Sequence, residues 1–240
     1  MMAHTRPGLA MVAGVVLAVA SVAAAAEPGL AERDGWSADT RGRIPRLAAP
    51  PAIDGTIGAD EWAGAAVFNA QVSQTAPGRS FFPRDVAWFV GWDAEHLYLA
   101  SRTRLFPNER PKRAARQPVG STVMMDDSVE LWIDPKGRNE GERLASYFQS
   151  MVNAVGVDYH SRLFPKIGAR SGDWNPGWTT AARLTEGAME VEVAMPVKGF
   201  DCLQPNRAGD AWGLLMVRNF MARNWNQSPV AYVFPNFGFS

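Results

Sequence analysis

The pattern that most constrains the fold of this chain is a strict alternation of aliphatic with polar or aromatic side chains in residues 128–134, which follow Asp126 and Asp127. Every second position carries an aliphatic side chain, namely Val129, Leu131 and Ile133. The positions between them carry polar or aromatic side chains, namely Ser128, Glu130, Trp132 and Asp134. Because successive side chains of a strand point to opposite faces, this period of two predicts a β-strand with one aliphatic face. Such a strand is typical of a sandwich, in which one face packs against a second sheet.

Many further short segments show the same period and are bounded by turn residues. The predicted strands outside 126–134 cover residues 67–72, 85–92, 97–103, 146–155, 157–162, 178–184, 189–195 and 212–219. The chain contains no internal repeat and no long amphipathic helix, and only residues 59–62 and 197–202 suggest short helical turns. Short strands at regular spacing predict an all-β fold, an antiparallel β-sandwich of the immunoglobulin-like jelly-roll kind.

Two segments lack an apolar period and are predicted as loops. Residues 102–119 are basic and contain three prolines, and residues 221–235 are rich in aromatic side chains and asparagine. Long loops in compact domains are commonly functional or disordered.

The N-terminal 26 residues have the pattern of a cleavable signal peptide. A weakly basic start precedes the apolar run 9–20, and small residues lead up to a predicted cleavage site after Ala26. The apolar run is too short for a comfortable membrane span, so we expect secretion or periplasmic export without membrane insertion. Residues 27–47 are predicted to be a flexible arm, and residues 48–240 the folded domain. Cys202 is the single cysteine, so the chain forms no intrachain disulfide.

The net charge and the tryptophan content of the chain limit the kinds of partner that it could bind. The formal net charge is zero, which argues against capture of nucleic acid or of an acidic membrane by overall charge. Nine tryptophans are many for 240 residues. Their large flat faces either stack on ligands or fill the core.

Catalytic motifs are missing from the sequence. It contains no Gly-x-Ser-x-Gly, no phosphate-binding loop and no zinc-ligand spacing. Glu190 and Glu192 share one face of a predicted strand, whereas glycoside hydrolysis needs two carboxylates facing each other across a sugar. We therefore predict that the chain is not an enzyme.

Several of these motifs, in this order, resemble family 9 carbohydrate-binding modules. The opening Pro-Ala-Ile-Asp-Gly and Glu-Trp resemble the family's start, and Trp-Asp-Ala-Glu-His-Leu-Tyr resembles a family hairpin. Asp-Ser-Val-Glu-Leu-Trp-Ile-Asp, Tyr-Phe-Gln with a later Asn, a Val-Glu strand ending in Pro, and a closing Phe-Gly complete the series. These motifs occupy residues 51–55, 61–62, 92–98, 127–134, 147–153, 190–196 and 237–238.

The resemblance implies a DOMON-like β-sandwich and an exported, non-catalytic module that binds a sugar or polysaccharide. In the family, two aromatic side chains sandwich the sugar, polar groups bind its hydroxyls, and calcium ions brace loops. A pyranose suits such a site, because its C–H face stacks on an indole while its hydroxyls need fixed partners. The module would be an accessory of a larger polysaccharide-active protein, either lacking its last strand or continuing into further sequence.

The resemblance implies a sugar-binding role for Glu130, with Gln149 and Asn153 as hydroxyl partners, although a solvated strand carboxylate would look the same. Two positions depart from the family pattern. Met124 stands where a sandwich tryptophan is expected, and Met151 where a sugar-binding arginine is expected. A relocated aromatic platform would draw on other aromatic residues, with core packing as the alternative role of each: Trp132, Trp174, Trp225 and Tyr232.

Three further hypotheses remain open. Asp54, Asp126 and Asp127 carry the hard oxygen ligands that calcium prefers, so they are candidates for a structural metal site. Related DOMON-like sandwiches hold b-type haem in electron transfer, and Met151 and His160 supply suitable ligand atoms. The third alternative is a scaffold domain that binds no small ligand.

Overall fold

The structure is a computed structural model of the chain. It describes residues 41–72, 75–76, 79–80, 84–117, 120–135, 147–164, 169–172, 174–200, 205–220 and 230–239. The predicted signal peptide and most of the predicted arm lie outside these residues, as does Trp225.

The larger of two main sheets has seven strands in the order β1-β14-β13-β7-β8-β9-β10. Its strands are β1 (Arg41–Ile44), β7 (Ser128–Asp134), β8 (Tyr147–Asn153), β9 (Asp158–Phe164), β10 (Ala169–Ser171), β13 (Ala211–Asn219) and β14 (Val230–Phe239). All neighbours pair antiparallel except β1 and β14, which are parallel.

The second main sheet has five antiparallel strands in the order β11-β12-β6-β5-β2. They are β2 (Ala66–Val72), β5 (Arg84–Trp92), β6 (His96–Arg104), β11 (Thr179–Leu184) and β12 (Ala188–Pro196). A separate two-stranded ladder joins β3 (Thr75–Ala76) to β4 (Arg79–Ser80). The prediction of an all-β antiparallel sandwich is confirmed.

Helical structure is confined to single turns in the described residues. One α-helical turn, α1, covers Gly120–Val123, and a 3-10 turn covers Val197–Phe200. No helix in the described part of the chain combines the length and the hydropathy needed to span a bilayer.

The main core lies between the two sheets and is built from the alternation that the sequence displays. Val129, Leu131 and Ile133 of β7 are at most 1% exposed and face Val191 and Val193 of β12 within one cluster. The polar positions of β7 consequently lie on the opposite face of the seven-stranded sheet, which we call the outer face. This face carries the candidate site.

A second, smaller apolar cluster covers the other side of the five-stranded sheet. There Leu47, Ile57 and Trp62 pack on Tyr98 and Ala100 of β6. The segment before β2 therefore closes part of the five-stranded sheet from solvent.

The structure differs from the predictions at both ends of the folded domain. Arg41–Ile44, within the predicted arm, forms β1 by pairing with Asn236–Phe239 of β14. Residues 230–235, predicted as part of an irregular loop, belong to β14. Both differences have one cause, which is pairing between segments that are distant in sequence. β14 pairs with β13, and β1 then pairs with β14 at the edge of the sheet.

Candidate functional site

The register of the seven-stranded sheet places three of the predicted site residues side by side. Trp132 of β7 pairs with Gln149 of β8, and Glu130 pairs with Met151. On the other side of β7, Glu130 pairs with Val217 of β13. Glu130, Trp132 and Gln149 thus lie together on the outer face, as the sequence suggested from their alternation.

Three side-chain N–H donors hold the Glu130 carboxylate. Its Oε1 accepts hydrogen bonds from Trp132 Nε1 at 2.8 Å and from Gln149 Nε2 at 2.5 Å. Its Oε2 accepts a hydrogen bond from Asn219 Nδ2 at 3.1 Å. A carboxylate offers about four acceptor sites, so this arrangement fixes its orientation and leaves capacity for a further donor. A bound hydroxyl group is such a donor.

The network extends over four adjacent strands. Gln149 Oε1 accepts a hydrogen bond from Ser161 Oγ at 3.0 Å, and Asn219 Nδ2 also donates to Ser128 Oγ at 3.2 Å. We call this set the Glu130 cluster, and its members are Ser128, Glu130, Trp132, Gln149, Ser161 and Asn219.

Asn219 and Ser161 were missed by sequence reasoning. Each occupies a polar position of a strand, but only the register shows that these strands flank β7 and β8. A rule that collects polar residues at alternate strand positions would have included both among many others.

Solvent reaches the cluster at Glu130 and Trp132, which are both half-buried, whereas Gln149 and Asn219 are buried. Tyr147 lies two residues before Gln149 on β8, on the same face, and is 37% exposed. The face therefore combines a fixed carboxylate with two accessible aromatic rings. Such rings can stack on an apolar ligand face while the carboxylate accepts hydrogen bonds.

Asn153 lies on the same strand face but serves the protein itself. It is fully buried, and its Nδ2 donates to Asp126 Oδ2 at 3.0 Å and to the Ala115 carbonyl at 3.3 Å. Its Oδ1 accepts hydrogen bonds from the backbone N–H groups of Val155 and Val157. The predicted role as a hydroxyl partner does not fit this geometry, because both ends of the amide are occupied.

Met151, at the position where the resemblance led us to expect an arginine, is covered by apolar side chains. Met151 is 1% exposed and packs with Ala115 and with Val123 of α1. Met124, where the family has a tryptophan, is 43% exposed. The aromatic and arginine contacts implied by the resemblance are therefore missing at these two positions, and the accessible part of the outer face extends from Glu130 toward Trp132.

The three carboxylates proposed for calcium do not form one site. Asp126 and Asp127 are fully buried beside β7, where their oxygens accept N–H groups of residues 112–115. Asp54 is exposed, its Oδ1 accepts the N–H of Thr56, and its own backbone N–H donates to Glu192 of β12 in the other sheet. No group of three or more metal-ligating side chains occurs among the described residues. The donor set does not fit a shared calcium ion.

Trp174 is half-buried and packs against the main core instead of lying on the outer face. Its ring packs on Phe148, with centroids 4.6 Å apart, and its Nε1 donates to the Gly199 carbonyl at 2.9 Å. Trp132 and Trp174 therefore cannot form a single platform. Tyr232 belongs to β14, where its backbone pairs with Met216, and its side chain is not among those described.

The proposed pair of haem ligands is also separated. Met151 pairs with Tyr159 on the outer face, whereas His160, next along β9, points into the core. There its ring contacts Trp178, with centroids 4.9 Å apart, and its Nε2 lies 3.0 Å from Asp158 Oδ2. Burial alone would raise the pKa of Asp158, but the hydrogen bond and charge of His160 hold it below its usual value. Met151 and His160 therefore cannot ligate one haem from opposite faces of a sheet.

The architecture of this sandwich is that of the family 9 carbohydrate-binding modules. It is similar to a family 9 module from Caldicellulosiruptor kristjanssonii in complex with glucose, with a TM-score of 0.55 and 15% identity, covering 82% of this chain and 95% of that one. It is also similar to a putative carbohydrate-binding protein from Bacteroides uniformis, with a TM-score of 0.58 and 14% identity, covering 83% and 97%.

A further similar structure is a family 9 module from Caldicellulosiruptor kristjanssonii in complex with cellotriose, with a TM-score of 0.55 and 15% identity, covering 82% of this chain and 93% of that one. No family model matches the chain, and no curated protein matches it by sequence. At identities of 14–15% the likeness establishes the fold, and the site has to be argued from the residues of this chain.

Proposed function

We propose that this chain is an exported, non-catalytic carbohydrate-binding module that binds a saccharide on the outer face of its seven-stranded sheet. The observation that carries the proposal is the half-buried Glu130 carboxylate, held by three N–H donors beside the accessible indole of Trp132. Export is included because residues 1–26 have the pattern of a signal peptide.

The chemistry of a pyranose matches this arrangement. The sugar would rest its C–H face on Trp132 or Tyr147 and donate hydroxyl protons to Glu130. Because the three donors already orient the carboxylate, binding costs little side-chain ordering. The two similar structures with bound ligand contain glucose and cellotriose, so glucose and its β-linked oligomers are the first ligands to test.

The spacing of carboxylates on this face supports a binding role. Asp134 follows Glu130 by four residues on β7, a separation of roughly 13 Å at the rise of an extended strand. Glycosidases hold their two carboxyl groups about 5–9.5 Å apart. Glu130 and Asp134 therefore do not match a hydrolytic pair.

Isothermal titration of the purified protein with glucose, cellotriose and a panel of other oligosaccharides tests the proposal. We expect measurable binding that Glu130→Ala weakens at least about tenfold, since a hydrogen bond to a charged group contributes roughly 1.5–3 kcal/mol. Glu186→Gln removes a carboxylate from the exposed turn between β11 and β12 and should leave affinity unchanged. Equal unfolding midpoints of the variants would exclude a folding defect.

A flat titration across the panel, with folded protein, would contradict the proposal and favour the scaffold alternative. Binding that survives Glu130→Ala at full strength would move the site away from the Glu130 cluster. Trp132→Phe separates stacking from hydrogen bonding, because it keeps an aromatic ring and removes the Nε1 donor to Glu130.

A further inference from the structure

The loop that follows β6 carries an unusual concentration of positive charge. Four of the seven residues in 110–116 are basic, in a chain whose formal net charge is zero: Arg110, Lys112, Arg113 and Arg116. Glu109 is the nearest acidic residue in sequence. Residues 110–116 contain no acidic residue, so the excess of positive charge is local to this loop.

Two buried carboxylates fix the backbone of this loop. Asp127 Oδ2 accepts a hydrogen bond from the N–H of Lys112 at 2.8 Å. Asp126 accepts hydrogen bonds from the N–H groups of Ala114 and Ala115, both at 2.8 Å. Both aspartates are 0% exposed, so these hydrogen bonds are shielded from water. The backbone that carries the four basic side chains is thus held in place.

Within the described part of the chain, none of the four basic side chains forms an ion pair. The guanidinium of Arg110 donates to the Glu109 carbonyl at 3.2 Å, and that of Arg116 donates to the carbonyls of Ala115, at 3.0 Å, and Arg113. Backbone carbonyls orient these groups without neutralising them. Arg110, Arg113 and Arg116 are exposed, and Lys112 is half-buried.

A cavity of about 450 Å³ opens beside the loop. Lys112, Arg116, Gln117 and Thr122 line its polar side, and Ala115 and Met125 its apolar side. Its volume is within the range of about 300–1,000 Å³ that is usual for small-molecule sites. Asp126 also borders the cavity, but its carboxyl group is fully buried and already accepts three N–H groups, whereas the basic side chains reach solvent.

One buried residue, Met151, lies between the cavity lining and Glu130. Ala115 packs on Met151, and Met151 pairs with Glu130 on the neighbouring strand. A ligand that rests on Glu130 and Trp132 would reach the basic loop by extending from Glu130 across the apolar side chains that cover Met151. Its negative groups would lie at the loop, because Glu130 itself repels them.

We propose that the ligand is an acidic glycan, whose carboxylate or sulfate groups bind Lys112 and Arg116 while a sugar ring lies on the Glu130 cluster. This inference rests on the proposed carbohydrate function and specifies its ligand class. Carboxylate and sulfate share the chemistry that a guanidinium and an ammonium recognise, which is a fixed negative charge with several acceptor oxygens.

Matched oligosaccharides test this inference by titration calorimetry at low and high salt. The set is a neutral cello-oligosaccharide, the same chain oxidised to uronic acids, and the same chain sulfated. We expect at least one acidic form to bind at least about tenfold tighter than the neutral form, as one charge-assisted hydrogen bond supports. Salt should reduce the difference, because the cations are accessible to solvent.

The double variant Lys112→Gln, Arg116→Gln should lose the preference for acidic ligands and keep the affinity for the neutral one. Arg104→Gln is the matched control, since Arg104 is 68% exposed on the other sheet. The relative affinities of the uronic and sulfated chains identify which anionic group the loop selects.

Equal affinities for neutral and acidic chains would overturn this inference and leave the proposed function standing. No binding of any oligosaccharide would overturn both. A preference that persists in the double variant would place the anion elsewhere. Binding to vesicles containing phosphatidylglycerol, lost in the double variant and without any preference for acidic saccharides, would assign the loop to a lipid surface.

Discussion

At the scale of single residues, the described structure gives the aspartates before β7 a structural role. Asp127 Oδ1 lies 2.9 Å from Arg218 Nη2, and both side chains are 0% exposed. Arg218 Nε also donates to Thr103 Oγ1 of β6 at 3.2 Å, so the same guanidinium reaches the second sheet. A buried charge in this position needs its partner, because an unpaired ion in a low-dielectric interior is costly.

Asp127→Asn should therefore destabilise the fold strongly. The substitution keeps the shape of the side chain and leaves Arg218 without a counter-charge, which typically costs about 3–5 kcal/mol. Asp85→Asn makes the same chemical change in a pair with Arg104 at 3.5 Å, where both side chains are more than 60% exposed, and should cost less than about 1 kcal/mol. Urea unfolding measures both, and similar small losses would show that the buried pair contributes little.

At the scale of elements, a carboxylate anchors the segment before β2 to the five-stranded sheet. Glu192 of β12 is 0% exposed, and its Oε2 accepts the N–H groups of Asp54 and Gly55. Its Oε1 accepts Trp62 Nε1 at 2.8 Å. Burial raises the pKa of Glu192 above its usual value, and these three donors offset only part of that shift.

This raised pKa predicts a definite pH dependence. Between the usual value of 4.5 and the higher folded value, the folded protein binds more protons at Glu192 than the unfolded chain does. The contribution of Glu192 to stability is then fully present below 4.5 and falls as pH rises through the folded value. The side chain in Glu192→Gln does not titrate. The free energy of unfolding of the wild type minus that of the variant should therefore decrease as pH rises from 4.5 through the folded pKa of Glu192.

Denaturant unfolding at several pH values measures this difference. Glu186→Gln, in an exposed turn, should give a difference that stays nearly constant with pH. A wild-type advantage over Glu192→Gln that grows with rising pH would have the wrong sign and would show that the three N–H donors outweigh burial.

Strands could be predicted from the sequence where aliphatic and polar side chains alternate within the strand itself. Val129, Leu131 and Ile133 could occupy one buried face only as a strand, so β7 follows from the sequence. β1 was missed because Arg41–Ile44 has no alternation strong enough to stand alone and is held by parallel pairing with β14. Pairing between segments almost 200 residues apart leaves no local pattern.

At the scale of the whole molecule, the candidate site also depends on pairing between distant strands, which the local sequence does not reveal. Glu130 was identified from its place in the Asp-Ser-Val-Glu motif, but Asn219 reaches it from β13 through a register that sequence spacing does not encode. The amide of Asn153, a residue matched by the family pattern, instead binds Asp126 because the loop 111–117 folds over that end of the sheet. Motif matches therefore transferred the sandwich more reliably than the contacts on its surface.

The last prediction concerns metal dependence of the whole fold. Calcium takes six to eight oxygen ligands. The carboxyl oxygens of Asp126 and Asp127, however, already accept hydrogen bonds from backbone N–H groups and from Arg218. Asp54 lies against the other sheet. We therefore expect the thermal unfolding midpoint to be the same in chelator and in excess calcium. An ion bound only to the folded state would raise the midpoint with its concentration. A midpoint lowered by chelator and restored by calcium would contradict this expectation, and loss of that response in Asp126→Asn would return the site to these aspartates.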